Sequence, residues 1–379
     1  MADSAAPRII AVEPLLLRLP LPRPLIGPFG RLDARPNLLV TITTEAGASG
    51  LGEIWANFPP WGCGERVAIV RHVIAPLLVG QPLDDPARLY ALMQTRLRLL
   101  ANQWGAPGPV HQAIAGVDIA LWDAHARARG VRLATLLRDG GTAPTRLPVY
   151  ASGIAPPGVP ATIEAARARG HRRFKVRLAF GHDTDCATLR EGRAAAGDAP
   201  LMADANQILD AASFARIAPV LAEVGLQWLE EPFPVDDVEA YRSWPRALGV
   251  PLAFGENARG DDGLAAVIAL GADVVQPDIT KTLGITGGLR VGRTVVAAGR
   301  RLCFHMYGGA VGLYASAHLA AAIDGADWLE MDAMPNPLLD ETLTVRPQVD
   351  EGDLILPDGP GLGITLATDT SARWGASDA

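Results

Sequence analysis

The chain has 379 residues, 49% of them hydrophobic and 20% charged, the size and balance of a two-domain globular enzyme or one large barrel. Its net charge of −7 argues against nucleic-acid binding, which calls for a basic face. No run of about 20 apolar residues is available to span a membrane.

The opening stretch MADSAAPRII lacks a basic start followed by an apolar block, so no signal peptide is expected and a cytoplasmic location is. Cys63, Cys186 and Cys303 are scattered without a C-x-x-C spacing. They read as reduced thiols, giving neither a disulfide framework nor a zinc site. Of 34 basic residues only Lys175 and Lys281 are lysine. A composition bias toward Arg and Ala accounts for the count. Lysine, unlike arginine, is readily tuned to titrate near neutrality, so both positions are candidates for function.

In chain order, residues 8–55 read as an antiparallel unit: RIIAVEPLLLRLP and NLLVTITTEAGASGLGEIW carry apolar and alternating runs around a Gly-containing turn. Residues 64–80, 86–101 and 109–128 show helical spacing of apolar side chains. The first ~128 residues therefore form an α+β domain. PLIGPFGRLDARP (24–36) and IWANFPPWGCG (54–64) read as Pro/Gly-rich loops, carrying Arg31, Arg35, Trp55, Asn57 and Trp61.

From about residue 146 short apolar strands alternate with Ala-rich helical stretches. The strands are LPVYAS (147–152), FKVRLA (174–179), LMADAN (201–206), QWLEEP (227–232), LAFGEN (252–257), DVVQPD (273–278), LCFHMY (302–307) and DWLEMD (327–332). Eight strands at this spacing predict a parallel (β/α) barrel. A doubly wound sheet is the alternative, but YASGIAPPG after the first strand does not match its Gly-rich turn. The tail, 346–379, contains turn residues (LPDGPGLGI) and is expected to fold back onto the first domain.

Strand after strand ends in an ionisable residue, where a buried parallel strand should be apolar. These are Lys175 and Arg177, Asp204, Glu230 and Glu231, Glu256, Asp278, His305 and Glu330. Taken singly, each fits a structural salt bridge or a loop cap. Together they converge on one mouth if the strands form a barrel. Asp204, Glu230 and Glu256 fall 26 residues apart, and three converging carboxylates call for a cation. An all-oxygen set suits Mg²⁺; neutralisation by Lys175 and Arg177 alone is the alternative. Asp278 and His305, on adjacent strands, make a carboxylate-oriented base able to work near neutrality.

At these residues the sequence resembles the enolase superfamily, in its mandelate racemase branch. The resemblance rests on GVDIALWDAHARARG, FKVR, ADANQ, WLEEPF, GEN, VVQPDITKTLGITGG, FHMYGG, LEMDAMPNPL and PDGPGLGI, in order along nearly the whole chain. Within the branch it is most similar to acid-sugar dehydratases and galactarolactone cycloisomerases.

The resemblance implies a modified (β/α)₇β barrel (129–345), an N-terminal capping domain (1–128) and a C-terminal segment (346–379) that returns to the cap. It implies Asp204, Glu230 and Glu256 as Mg²⁺ ligands, Asp278 and His305 as the base dyad, and Glu330 as a hydrogen-bonding partner of a substrate carboxylate. Glu231 is expected behind the ligands, and Asn206 and Asn257 beside metal waters or substrate. Lys281 is expected to pair with a ligand carboxylate, Arg31 or Arg35 to meet a distal carboxylate of the substrate, and Trp55 or Trp61 to wall the specificity pocket. A small-molecule carboxylate is the expected partner, and a homo-oligomer the expected assembly.

One feature departs from the family pattern. Many relatives carry Lys-x-Lys on the second strand, with the second lysine as a base. Here Arg177 stands in that place, and a guanidinium is a poor base. This favours His305 as the working base, with Lys175 and Arg177 holding the substrate carboxylate or enediolate. Elimination, as in dehydration or cycloisomerisation of a sugar acid or lactone, follows more readily from one base than racemisation does. A racemase or epimerase is the alternative within the branch; an acid-binding barrel without catalysis and a glycosidase are the rivals outside it.

Overall fold

The computed structural model describes residues 6–27, 30–59, 61–138 and 141–376. Parts of the opening MADSAAPRII, of the two expected loops (Pro28, Phe29, Pro60) and of the tail (377–379) lie outside the described residues. No described helix is long and apolar enough to cross a membrane.

An antiparallel three-stranded sheet comes first: β1 (Ile9–Gly27), β2 (Gly30–Thr44) and β3 (Ser49–Ile54), in that order. The stretch 24–36, expected as a loop, corrects that expectation. β1 and β2 keep pairing past a register shift between Pro20 and Leu25, with Leu25 opposite Leu32 and Ile26 opposite Arg31. Prolines lack an N–H donor, but on an edge strand with a bulge the ladder tolerates them.

Two long helices pack on this sheet. α1 (Pro86–Trp104) starts at Asp85, whose side chain accepts from the Ala87 N–H, and buries Leu89, Met93, Leu97 and Ala101 at four-residue spacing. α2 (Pro107–Ala128) is apolar around most of its circumference because it lies between sheet and barrel. It approaches β3 so closely that a Cβ at Gly52 would stand 2.0 Å from the Gly116 carbonyl oxygen, so glycine there permits the contact. The helix expected at 64–80 forms as Cys63–Ile69 and Ala75–Leu78, separated by a π-helical turn at Val70–Ile74.

The barrel follows as eight parallel strands: β4 (Arg146–Ile154), β5 (Phe174–Arg177), β6 (Leu201–Asp204), β7 (Leu229–Glu230), β8 (Leu252–Phe254), β9 (Val274–Val275), β10 (Arg301–Phe304) and β11 (Ala326–Asp332). Each pairs with the next, and β11 pairs with β4 to close the ring. Two short strands, β12 (Val349–Asp350) and β13 (Asp353–Ile355), extend the sheet beyond β4: β13 pairs antiparallel with β4, and β12 antiparallel with β13.

The period of two along a strand sorts the barrel residues. Phe174 and Val176 point to the helix layer and join the main core. On the other parity, Tyr150, Met202, Trp228, Val274 and Cys303 fill the barrel interior with Trp328 against them. Two residues further along the same strands stand Asp204, Glu230, Gln276, His305 and Glu330. The apolar layer is thus a floor, and the polar layer above it is the mouth.

The two parts are stitched by buried carboxylates. Asp118 of α2 accepts from the backbone N–H and the hydroxyl of Thr286, both at 2.8 Å. Asp123 accepts from the Leu51 N–H at 2.8 Å and the Leu362 N–H at 2.7 Å, drawing β3 and the tail onto α2. The tail also reaches β1, where the Ala376 N–H donates to the Leu16 carbonyl at 2.9 Å.

Candidate active site

Three neighbouring strands deliver carboxylates to one side of the mouth. Asp204 and Glu230 are the last residues of β6 and β7, and Glu256 lies two past β8. Burial, and then the nearby carboxylates, push Glu230 up to about 7 against the pull of Lys175. Burial raises Asp204 as well, with Lys175 and Arg177 opposing. Glu256 goes the other way: burial works against its charge, but His305 and Lys281 hold it well below the usual carboxylate range.

Lys175 is the hub of this side. Its Nζ lies 2.7 Å from Glu230 Oε1, 2.8 Å from Glu330 Oε1 and 3.8 Å from Asp204 Oδ2. Burial opposes the ammonium charge, yet these three carboxylates raise its pKa above the ordinary lysine value. Glu230 spends its other oxygen on Gln276, whose amide donates at 2.6 Å. Despite burial, Glu330 is held below the usual range by Lys175 and His305.

Asp278 and His305 face each other at 2.7 Å, from Oδ2 to Nδ1. Asp278 Oδ1 accepts from the Thr280 N–H (2.7 Å), the Lys281 N–H (3.1 Å) and the Thr280 hydroxyl (2.7 Å). These bonds cap the π-helical turn Ile279–Leu283 and fix the carboxylate toward the imidazole. His305 Nε2 lies 2.7 Å from Glu256 Oε2 and 3.7 Å from Glu330 Oε2. Burial disfavours the imidazolium, but Glu256 and Glu330, with the Asp278 hydrogen bond, raise its pKa well above the ordinary value.

The remaining sequence candidates divide. Lys281 binds Glu256 Oε1 at 2.9 Å and Asn257 Oδ1 at 3.1 Å, with its ammonium 4.9 Å from the Trp55 ring centroid. Asn257 donates to Glu231 at 3.0 Å and to Glu256 at 3.1 Å. Asn206 donates to both oxygens of Asp204, through its backbone N–H at 2.8 Å and its amide at 2.9 Å. Glu231 accepts from the Gln207 and Asn257 amides, and burial, then Glu256, push its pKa up to about 8. Arg177 has no carboxylate within ion-pair distance among the described residues, and its guanidinium lies 5.6 Å from the Tyr307 ring centroid. Of the two β5 cations, only Lys175 is ion-paired within the protein among the described residues. Asn57 donates to the Tyr307 carbonyl. Arg31 is exposed and bound to Asp33 at 2.7 Å, and Trp61 is 76% exposed; the structure joins neither to the cluster.

Sequence reading missed three features. Glu53 of β3 is buried and accepts from the N–H groups of Gly309 (2.6 Å) and Gly312 (2.8 Å), at the start of the helix Ala310–Ala321. A lone acid within GLGEIW was its sequence signal. Arg35 crosses from β2 to bind Asp332 of β11 at 2.6 Å. Asn206, Gln207 and Glu231 adopt positive φ of 46°, 67° and 35°. Left-handed backbone just after two candidate ligands is strain of the kind that gathers at functional sites, and nothing in the sequence announces it.

The donor set was tested for a divalent cation. All its atoms are carboxylate oxygens, as a hard cation prefers. Burial first, and then neighbouring carboxylates, raise both Asp204 and Glu230, so a cation at this spot would relieve a real cost. Asn206 Oδ1, beside Asp204, is buried with no hydrogen-bond partner, and a water on a cation would supply a donor. Among the described residues no three acidic, His or Cys side chains stand at coordinating spacing. Both oxygens of Glu256 are engaged, by Lys281 and by His305. The residues fit a cation in chemistry and field, with Glu256 required to leave His305.

Residues 15–138 match the model of the mandelate racemase / muconate lactonizing enzyme N-terminal domain, and residues 159–370 match that of the enolase C-terminal domain-like family. The chain belongs to the mandelate racemase/muconate lactonizing enzyme family of the enolase superfamily. Muconate cycloisomerase 1 of Rhodococcus opacus is 32% identical over 97% of this chain and 98% of its own length. The L-talarate/galactarate dehydratase of Salmonella typhimurium is 29% identical over 98% of this chain and 92% of its own. The crystal structure of a mandelate racemase/muconate lactonizing enzyme from Bordetella bronchiseptica superposes with a TM-score of 0.84 at 38% identity, covering 95% of this chain and 97% of that one. The architecture of this superfamily member is the expected one, a closed eight-stranded parallel barrel with an N-terminal capping domain. Its relatives are isomerases and lyases.

Proposed function

We propose that this superfamily member is a magnesium-dependent enzyme that removes the proton α to a carboxylate, with His305 as its one base, and dehydrates or cycloisomerises a sugar acid or its lactone. The observation that carries this reading is the Asp278–His305 pair at 2.7 Å, set across the mouth from an arginine where many relatives have a second lysine base. Relatives named as cycloisomerase and dehydratase, at 32% and 29% identity, support the choice between reaction types no further than elimination chemistry.

Superfamily members generally use Mg²⁺. Asp204, Glu230 and Glu256 would hold it, and its charge would make the α-proton of a bound acid more acidic. The other roles belong to side chains. Asp278 holds the His305 ring through Nδ1, leaving Nε2 to take the α-proton once Glu256 has withdrawn. The electron pair of the broken C–H bond passes into the carboxylate as an enediolate. Lys175, held in place by Glu330 at 2.8 Å, meets that charge with its ammonium group. The His305 imidazolium then returns the proton to the departing β-oxygen, which leaves with the C–O bond electrons. Water and an enol result from an acid; an opened ring results from a lactone. Arg177 takes no part in proton transfer, and its guanidinium is open to an anionic group of the substrate.

A panel of aldonic and aldaric acids and their lactones, incubated with the Mg²⁺-loaded protein in D₂O, tests the reading. The expected result is α-deuterium incorporation with keto-acid or ring-opened product. Inactivity on the whole panel, with turnover of an N-acylamino acid or dipeptide, refutes the substrate class.

A further inference from the structure

Beside the residues assigned to the α-proton chemistry, the mouth holds polar groups that this chemistry leaves unused: Arg35, Arg177, Tyr307 and Asp332. Round the ring, carboxylates occupy the ends of β6 to β8, and Asp278 and His305 follow β9 and β10. The unused groups lie round β11, β4 and β5, with Tyr307 just beyond β10 and Arg35 descending from the cap. Two guanidiniums, Arg35 and Arg177, stand there with one ion-paired carboxylate, Asp332.

Arg35 is 3% exposed. Its Nη1 binds Asp332 Oδ2 at 2.6 Å, but its Nη2 is buried with no hydrogen-bond partner. Its guanidinium lies 4.6 Å from the Tyr307 ring centroid, and that of Arg177 lies 5.6 Å from the same centroid. Asp332 has little left for either free donor. Its Oδ2 already accepts from Arg35 and from the Asn336 amide (3.0 Å), and its Oδ1 from the Met334 N–H (2.9 Å). Glu53, whose field also reaches Arg35, is spent on Gly309 and Gly312. Two guanidiniums thus share one aromatic ring, and of the two only Arg35 is ion-paired to a carboxylate among the described residues. Burying a charged donor without a partner is costly, and the planar fork of arginine matches a carboxylate.

We infer that Arg35 and Arg177 receive a second carboxylate of the substrate over the Tyr307 ring, so that the substrate is a diacid. This rests on the α-proton reading, in which the first carboxylate lies against Lys175 and the cation that Asp204, Glu230 and Glu256 would hold. The diacid then spans the mouth, with its reacting carbon presented to His305. Arg35 is in this account a specificity residue supplied by the cap.

The test compares wild type, Arg35→Met and Asp332→Asn, all with Mg²⁺. Calorimetric affinities for glutarate and adipate are set against pentanoate, and kcat/KM for aldaric acids against aldonic acids of matching stereochemistry. The wild type is expected to favour diacids at least tenfold. Arg35→Met brings that ratio close to one, while Asp332→Asn, which keeps the Arg35 charge, retains it. If Arg35 only ties cap to barrel, both variants lower the melting temperature and leave the ratio unmoved, and the inference is overturned. A wild type with no diacid preference overturns it too. Should Arg35→Met not fold, Arg35→Lys keeps the charge, loses the fork, and is expected to lower the ratio; an unchanged ratio counts against the inference. α-Proton exchange run in parallel separates the two readings. Exchange without diacid preference defeats this inference alone; no exchange from any acid defeats the reading beneath it.

Discussion

His305 Nε2 lies 2.7 Å from Glu256 Oε2, so the candidate base and a candidate metal ligand occupy each other. The contact has a direct consequence. A cation that draws Glu256 away leaves His305 paired with Asp278 and frees its second nitrogen. Cation binding and base activation are then coupled through one carboxylate.

Mg²⁺ is accordingly expected to raise the melting temperature of wild type, because a ligand that binds only the folded state stabilises it. Glu256→Gln should lose that increase at the same Mg²⁺ concentration and lower Mg²⁺ affinity by at least tenfold. Chelation by EDTA should abolish α-proton exchange, and Mg²⁺ should restore it. Differential scanning calorimetry with and without Mg²⁺ checks the first point, and exchange in D₂O the second.

Lys175 carries a charge that three carboxylates share. Lys175→Met leaves those acids buried without their cation, and removing one partner of a buried ion pair costs about 3–5 kcal/mol. Urea unfolding of the metal-free protein should show a loss of that order. Added Mg²⁺ should recover more stability in the variant than it adds to wild type, since it supplies charge to the same group.

His318 gives a pH dependence remote from the site. Its Nδ1 accepts from the Ala134 N–H at 3.3 Å and its Nε2 donates to the Leu362 carbonyl at 3.2 Å, a pattern available only to the neutral ring. Burial, then Arg132, depress its pKa to about 3 from 6.5. Between those values the unfolded chain binds a proton that the folded chain refuses. The contribution of this residue is present above pH 6.5 and is lost as pH falls toward 3, by up to about 1.4 kcal/mol per pH unit. His318→Gln should therefore flatten the dependence of unfolding free energy on pH between 6 and 4. An unchanged slope would show that His318 titrates alike in both states.

Much of the barrel was legible because its signals are local. The eight strands announce themselves by short apolar runs, and the mouth by charges that an apolar strand has no reason to carry. Strand lengths were less legible: β7 and β9 pair over only two residues each, since Glu256, Asp278 and His305 project from the turns just beyond their strands. The stretch 24–36 misled because proline marks loops and edge strands alike. Glu53, Asp118 and Arg35 were missed as structural ties for another reason. Each acts on a partner more than 150 residues away, and no periodicity encodes such a pairing. The sequence placed Lys175 and Arg177 on one face. Their different fates depended on which neighbours reached them: Glu230 and Glu330 close on the first, Tyr307 lies against the second.

The account turns on a single base, and α-proton exchange by His305→Asn measures it most directly. The variant keeps a polar side chain beside Asp278 and leaves Lys175, Arg177 and the three carboxylates in place. With Mg²⁺ present, in D₂O, on an acid that wild type exchanges, deuterium incorporation at the α-carbon is expected to fall at least a thousandfold. Exchange retained within tenfold of wild type would contradict the account, because the proton would then be leaving to some other group.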